Sequence, residues 1–424
     1  MLTTLHPSSS TTQTTTTMGV PQYPVSTFRA SAKPSANGIP RTFGQVVEAL
    51  VRVLVALITT PANIVTWLLF CPPIPLKLFL LSRIVKYSRS LTPYLLARES
   101  KKEASHKPAR PVVPFGDIEK TVSTTNVTVP AAKRQPSAPP QIQPTEAYGF
   151  ILTPNGSKGK GADKAQPGEK IIIYFHGGAY VVGHPLWTPF ALQLARDARV
   201  RVYAAQYRKA VDATSAWPAQ LQDGLAAWEH VTGELGFEPH NVIIAGESAG
   251  GHLSLAVSTQ LGQWDAPGPG GLALCSPWVD VTRSFTPPAA SWIDYLEPFW
   301  SRYHIPSLVR YLTAEGERSL LVSPALAEAG AFDHLAKGKT SVFVSVGTAE
   351  TIAPEIYALI TRLKGDTVKT AVFEDENGLH IAPAFALFQA SPKQYTKFAA
   401  GVKGLVRDID AANKQRAKEA APSA

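Results

Sequence analysis

Gly246-Glu247-Ser248-Ala249-Gly250 follows the apolar run Val242-Ile243-Ile244-Ala245, and His176-Gly177-Gly178-Ala179 follows Ile171-Ile172-Ile173-Tyr174-Phe175. A serine between glycines, at the end of a strand and the start of a helix, is forced into a sharp elbow that holds its oxygen clear of the backbone, where it can attack a carbonyl. The five-residue pattern is short, and its frame carries the weight. β-Branched residues precede it, and Gly251 to Val257 reads as a small-residue helix start. Such an attack places negative charge on the carbonyl oxygen, which fixed donors must meet. The bend after Phe175 is placed to aim the amides of Gly178 and Ala179, with Gly177 as a further candidate, toward the elbow, where the Ala249 amide completes an oxyanion hole. His176 reads as loop support: it braces the bend by hydrogen bonding and takes no part in proton transfer.

A serine hydroxyl is a poor nucleophile near neutral pH, so a base must take its proton, and the base needs an acid to hold its tautomer. The run Ser341 to Val346 reads as a buried strand ending at Gly347-Thr348-Ala349-Glu350. After the strand Thr370-Ala371-Val372-Phe373, the loop Glu374 to Gly378 delivers His380. The chain order serine, acid, histidine is the one expected on such a sheet. Ser248 is fixed by a motif, His380 by order and loop setting, and Glu350 by position alone. Asp375 and Glu376 remain alternative acids in the histidine's own loop.

These groups need a sheet to hold them. From about residue 169 onward, apolar strand-like runs alternate with helix-like stretches at Phe190 to Ala198, Ala219 to Val231, Pro354 to Leu363 and Pro392 to Val406. That rhythm predicts an α/β fold with a mostly parallel central sheet and helices on both faces. A chain of 424 residues with 45% hydrophobic composition suffices for one large α/β domain plus attached segments. The expected division is a Ser/Thr/Pro-rich leader at 1–45, an apolar segment at 46–90, a linker and cap-contributing region at 91–166, a catalytic domain at 167–410 with a cap insertion at about 284–318, and a polar tail at 411–424.

The assembled residues resemble the hormone-sensitive-lipase-like group of α/β-hydrolases over roughly residues 167 to 408. Its members carry an H-G-G-[GA] loop, a G-[DE]-S-A-G-G elbow and a Ser-Asp/Glu-His triad. Further likenesses are Tyr207-Arg208 with Pro218 and Asp223, and Ser276-Pro277-Trp278-Val279-Asp280. Departures are Lys209-Ala210-Val211-Asp212, where the family often reads L-A-P-E, and a glutamate where its acid is more commonly aspartate. The resemblance implies hydrolysis of carboxylic esters through an acyl-enzyme intermediate, without metal or organic cofactor. Within the group the membrane-anchored forms, steryl acetyl hydrolases and arylacetamide deacetylases, look closest.

The first 45 residues contain no acid, recurrent proline and a Ser/Thr tract at Ser8 to Thr17, a composition expected to be disordered. From Val46 to Val85 the chain turns apolar, with Val53 to Phe70 free of charge and near the length that spans a hydrocarbon core of about 30 Å. A membrane anchor is expected. Pro61, Asn63 and Pro72-Pro73-Ile74-Pro75 interrupt the run, so a bent or interfacial element rivals a simple crossing, and helices packed over the hydrolase as a lid are a third reading. The expected location is a membrane of the endoplasmic reticulum. Basic residues after the segment (Lys77, Arg83, Lys86, Arg89, Arg98, Lys101, Lys102) favour a cytosolic catalytic domain, whereas the sequons at Asn126 and Asn155 suit a lumenal one, and the side stays open.

The +9 net charge fits anionic headgroups better than nucleic acid, for which no motif is present. Cys71 and Cys275 make no disulfide framework, and no Cys/His cluster, Walker loop or dinucleotide fingerprint occurs, so neither metal nor cofactor is expected. The expected partners are a small lipophilic ester and membrane lipid; oligomeric state cannot be read. Ser291 to Leu312 carries Trp292, Tyr295, Phe299, Trp300, Tyr303 and Tyr311, an aromatic stripe that reads first as packing and second as part of an apolar cap. Rival functions are a catalytically silent binding protein on the same scaffold, an acylglycerol lipase, and a peptidase, for which no amine-recognising segment is evident.

Overall fold

A computed structural model describes residues 28, 47, 50, 51, 54, 55, 58–70, 75–88, 116–296, 305, 307–386 and 389–420. The leader expected to be disordered lies almost wholly outside them, as do Cys71 and, within the insertion, Phe299, Trp300 and Tyr303.

Eight strands form one sheet: β1 (Val122–Val129), β2 (Ala147–Pro154), β3 (Ile171–Phe175), β4 (Arg201–Gln206), β5 (Val242–Glu247), β6 (Gly271–Cys275), β7 (Ser341–Gly347) and β8 (Thr370–Asp375). Their spatial order is β1-β2-β4-β3-β5-β6-β7-β8. Strands β4 to β8 and β3 run parallel, and β1 and β2 join antiparallel at one edge. The region expected to be a linker, 91–166, therefore supplies two strands of the sheet. β1 escapes a pattern search because it is a polar edge strand, VSTTNVTV, with only its end residues buried, and a proline-rich stretch separates it from β2.

The central strands are apolar without alternation because both of their faces are covered. Ile171, Ile173 and Phe175 of β3 face one core, shared with helices α4 (Ala219–Glu229), α5 (Ala249–Gln263) and α6 (Ala353–Gly365). Ile172 and Tyr174 face the other, shared with α3 (Phe190–Ala198) and α7 (Lys393–Ala420) through Phe190, Leu194, Phe398, Val402 and Leu405. The last helix runs 28 residues, so most of the expected polar tail at 411–424 continues it. Two shorter helices, α1 (Thr60–Phe70) and α2 (Leu76–Ser88), precede the sheet. Among the described residues no helix is long and apolar enough to cross a membrane.

The parallel strands all point the same way, so the loops after β3, β5, β6, β7 and β8 gather at one edge. In an open α/β sheet this carboxyl edge is where ligands bind.

Candidate active site

The elbow exists because the backbone leaves β5 and enters α5 without a connecting loop. Ser248 takes φ 54° and ψ −120°, a conformation that costs a non-glycine residue about 1–3 kcal/mol and persists only where its surroundings enforce it. They do so through close approach: a Cβ on Gly250 would collide with the Phe175 carbonyl, and one on Gly246 with the Gly250 backbone. The Ser248 amide donates to the Cys275 carbonyl at 2.9 Å, and its carbonyl accepts from Trp278 at 3.0 Å. The serine is half-buried and stands just ahead of a 15-residue helix, whose N-terminal dipole favours negative charge beside it.

The His380 ring meets both partners that the sequence assigns to it. Its Nε2 lies 2.9 Å from Ser248 Oγ, and its Nδ1 lies 2.8 Å from Glu350 Oε2. Glu350 is fully buried, accepts the Gly347 amide at 2.7 Å on its other oxygen, and is also hydrogen-bonded by the Ser276 side chain. Burial pushes its carboxyl up, against the downward pull of those two hydrogen bonds. The alternative acids sit elsewhere: Asp375 Oδ2 accepts from Gln394 Nε2 at 2.5 Å, and Glu376 is exposed.

The bend after β3 lies against the elbow, where a Cβ on Gly177 would stand 3.2 Å from the Ser248 Cβ. Gly178 has φ 112°, where a Cβ would strike the Val182 carbonyl, and Ala179 follows at φ 51°. Gly178 and Ala179 are half-exposed, and among the described residues their amides and that of Ala249 make no hydrogen bond to another residue. Gly177 departs from expectation. Its amide donates to Glu247 Oε1 at 2.6 Å, which removes it from the set of available oxyanion donors.

That contact gives the elbow glutamate a job that the motif does not announce. Glu247 is buried and takes a second hydrogen bond from the Tyr174 hydroxyl at 2.7 Å. One carboxyl thus clamps the bend after β3 to the residue before Ser248. Burial raises it to about 7, opposed by the Gly177 amide and the Tyr174 hydroxyl.

His176 braces the loop. Its ring stacks on Tyr207 with centroids 4.4 Å apart at 11°, and the Tyr207 hydroxyl donates to its carbonyl at 2.5 Å. Burial first and Lys209 second hold its imidazole well below the usual range. The neutral ring accepts from Lys209 Nζ at 2.9 Å on Nε2, which leaves Nδ1 to donate to the Gly177 carbonyl at 2.6 Å. Lys209, at one of the departures from the family pattern, is thus a strut under the bend.

The insertion before β7 reaches into the same edge. Asp294 Oδ1 accepts the His380 amide at 3.2 Å and its Oδ2 the Thr351 amide at 2.8 Å, while the Tyr295 hydroxyl donates to the His380 carbonyl at 3.0 Å. Asp294 therefore ties the loop bearing Glu350 to the loop bearing His380. Sequence reasoning placed Tyr295 in an aromatic stripe and missed Asp294, because a single aspartate in an insertion carries no spacing signal. Among the described residues no group of histidine, cysteine and acidic side chains could hold a metal ion.

Fold and constellation together define a class. A model of the α/β hydrolase fold family matches residues 172–384, half of the chain, and the chain belongs to that family. It is 30% identical over 144 residues to an acetyl-hydrolase of Streptomyces hygroscopicus, covering 32% of this chain and 47% of that one. It is 34% identical over 111 residues to the putative acetyl-hydrolase LipR of Mycobacterium tuberculosis, covering 26% and 35%. Human arylacetamide deacetylase-like 2 is 33% identical over 106 residues, covering 23% and 26%. The matched part thus spans less than half the length of each of these relatives. Among solved structures, a hormone-sensitive lipase from a metagenome library superposes with a TM-score of 0.52 at 22% identity, over 74% of this chain and 96% of the other. An esterase from the bacterial hormone-sensitive lipase family gives 0.54 at 23%, over 73% and 95%. At that identity the likeness shows the fold.

Proposed function

We propose that this protein is a serine carboxylic ester hydrolase acting on lipophilic esters, with sterol, aryl and short-chain acyl esters as the substrate class. The observation that carries the reading is the unbroken relay from Glu350 through His380 to Ser248, with contacts of 2.8 and 2.9 Å. Ser248 Oγ attacks the ester carbonyl as His380 Nε2 takes its proton, and Glu350 holds the imidazole in the required tautomer. The amides of Gly178, Ala179 and Ala249 meet the charge on the carbonyl oxygen. His380 returns the proton to the departing alcohol, and water then repeats the cycle on the acyl-enzyme. A silent binding protein would have no use for this relay or for the strained serine it serves.

The relatives named as acetyl-hydrolases and as an arylacetamide deacetylase-like protein support a small acyl group. The apolar segment before the sheet supports a lipophilic alcohol and, with it, association with a membrane. The test is a substrate panel. p-Nitrophenyl acetate and an uncharged aryl or sterol acetate are expected to turn over at least about tenfold faster than charged, water-soluble esters, and peptide anilides not at all. Turnover confined to soluble charged esters, or to anilides, would reject the assignment.

A further inference from the structure

Exposed apolar side chains are not scattered over this molecule. Among the described residues eleven large ones are exposed; ten lie between Val47 and Ile84, and the eleventh, Trp292, packs edge-on against Phe79 with centroids 5.8 Å apart. On α1 they form a stripe: Val65, Leu68 and Leu69 recur at helical spacing on one face, and exposed Ile58 lies just ahead of the helix. Single exposed hydrophobics need no explanation, but a contiguous patch of them does.

The opposite side of the helix pair is occupied. Leu78 and Phe79 of α2 are buried, and with half-buried Trp67 of α1 they pack on Ile293, Tyr295, Ala349 and Leu379. Ala349 adjoins Glu350 and Leu379 adjoins His380, so the inner face of the pair rests on the two loops that carry the acid and the base. The helices are 11 and 13 residues long, or roughly 17 and 20 Å against a hydrocarbon core of about 30 Å. A helix bound to protein along one side and bare and apolar along the other suits the plane of an interface, not a crossing. Charge selects the occupant. From Ala49 to Arg98 the chain has no acidic residue and six basic ones: Arg52, Lys77, Arg83, Lys86, Arg89 and Arg98. Lys77 is exposed, and the Arg83 guanidinium lies over the Phe79 and Trp292 rings.

We propose that the outer face of α1 and α2 seats this protein on an anionic lipid surface, with both helices in the interfacial plane, and thereby sets the Ser248 site beside the bilayer so that esters dissolved in lipid reach it directly. The lipid-docking half stands by itself. The substrate-delivery half rests on the ester-hydrolase reading.

The experiment uses the full chain and a Leu68→Glu/Leu69→Glu variant, whose changes fall on the outer stripe and leave the packed side untouched. Sedimentation with phosphatidylserine/phosphatidylcholine vesicles is expected to capture the wild type and to weaken at least about tenfold in the variant, since two apolar contacts are replaced by charges that anionic headgroups repel. p-Nitrophenyl acetate hydrolysis without vesicles is expected to stay within about twofold, while hydrolysis of a sterol acetate embedded in the vesicles falls about tenfold. A wild type that stays in the supernatant, or a variant that sediments equally well, overturns the proposal. So does an embedded ester whose turnover falls no further than that of the soluble one. Lipid-independent dimers that dissociate in the variant, without vesicle capture, make the stripe a contact between copies and also overturn it. Vesicle capture that follows expectation while neither ester is hydrolysed supports the docking surface and rejects the ester-hydrolase reading instead.

Discussion

Replacing Ser248 by alanine is expected to lower kcat by about 10⁵- to 10⁶-fold, the scale on which serine hydrolases lose rate when the nucleophile is removed. The change deletes one oxygen and adds nothing, so the fold should survive: the strain at φ 54° is common to both residues, and the glycine contacts around the elbow are unaltered. The amides of Gly178, Ala179 and Ala249 remain, and with binding they sustain a residual acceleration over water of about 10³- to 10⁴-fold. Steady-state rates on a p-nitrophenyl ester, with an unchanged thermal transition, give the measurement. A variant within tenfold of the wild type would mean that the half-buried hydroxyl at the elbow is not the attacking group.

Glu350→Gln is expected to reduce kcat by about 10³- to 10⁴-fold. Glutamine keeps the volume and can still accept the Gly347 amide, but its NH2 group would face His380 Nδ1 across the present 2.8 Å contact. The ring must then present a lone pair there and carry its proton on Nε2, which is the tautomer unable to accept from Ser248. The pH dependence should change with it. In the wild type, kcat/KM is expected to rise with pH as the pair of His380 and Glu350 loses a proton, with an apparent pKa that belongs to the pair. A neighbouring carboxylate favours the charged imidazolium, so its removal lowers the histidine's affinity for protons and moves the rising limb of the residual activity to lower pH. Asp375→Asn should leave both rate and profile near those of the wild type, because Asp375 is bound to Gln394. Near-normal activity in Glu350→Gln would pass the acid's role to Asp375 or Glu376.

The parts of the site that were legible in the sequence share a property: each follows a strand whose end fixes its position. Ser248 and the amides around Gly178 ride on short motifs, and His380 and Glu350 follow β8 and β7 at the edge that a parallel sheet dictates. The central strands were equally plain, since Ile171 to Phe175 and Val242 to Ala245 must be apolar throughout when both faces are covered. What stayed hidden depends on contacts between distant segments. Glu247 looks like the variable position of a motif until its oxygen is seen on the Gly177 amide. Asp294 and Tyr295 reach His380 across 86 and 85 residues of chain, a separation that no periodicity encodes. β1 carries solvent-facing Ser, Thr and Asn on an edge and so lacks the apolar signature of its neighbours. α7 outlasts its apolar repeat because its final turns lie largely in solvent, where helix-forming Ala, Lys, Gln and Arg suffice.

Ester hydrolysis as proposed needs the alkoxide formed at Ser248 to stand opposite a ready cradle of amides. Treatment of the native protein with a fluorophosphonate, followed by peptide mapping, tests it directly. One stoichiometric adduct is expected on the peptide containing Ser248, formed faster as pH rises through the titration of the His380 and Glu350 pair. A folded protein that acquires no adduct, or acquires it at another serine, would contradict it.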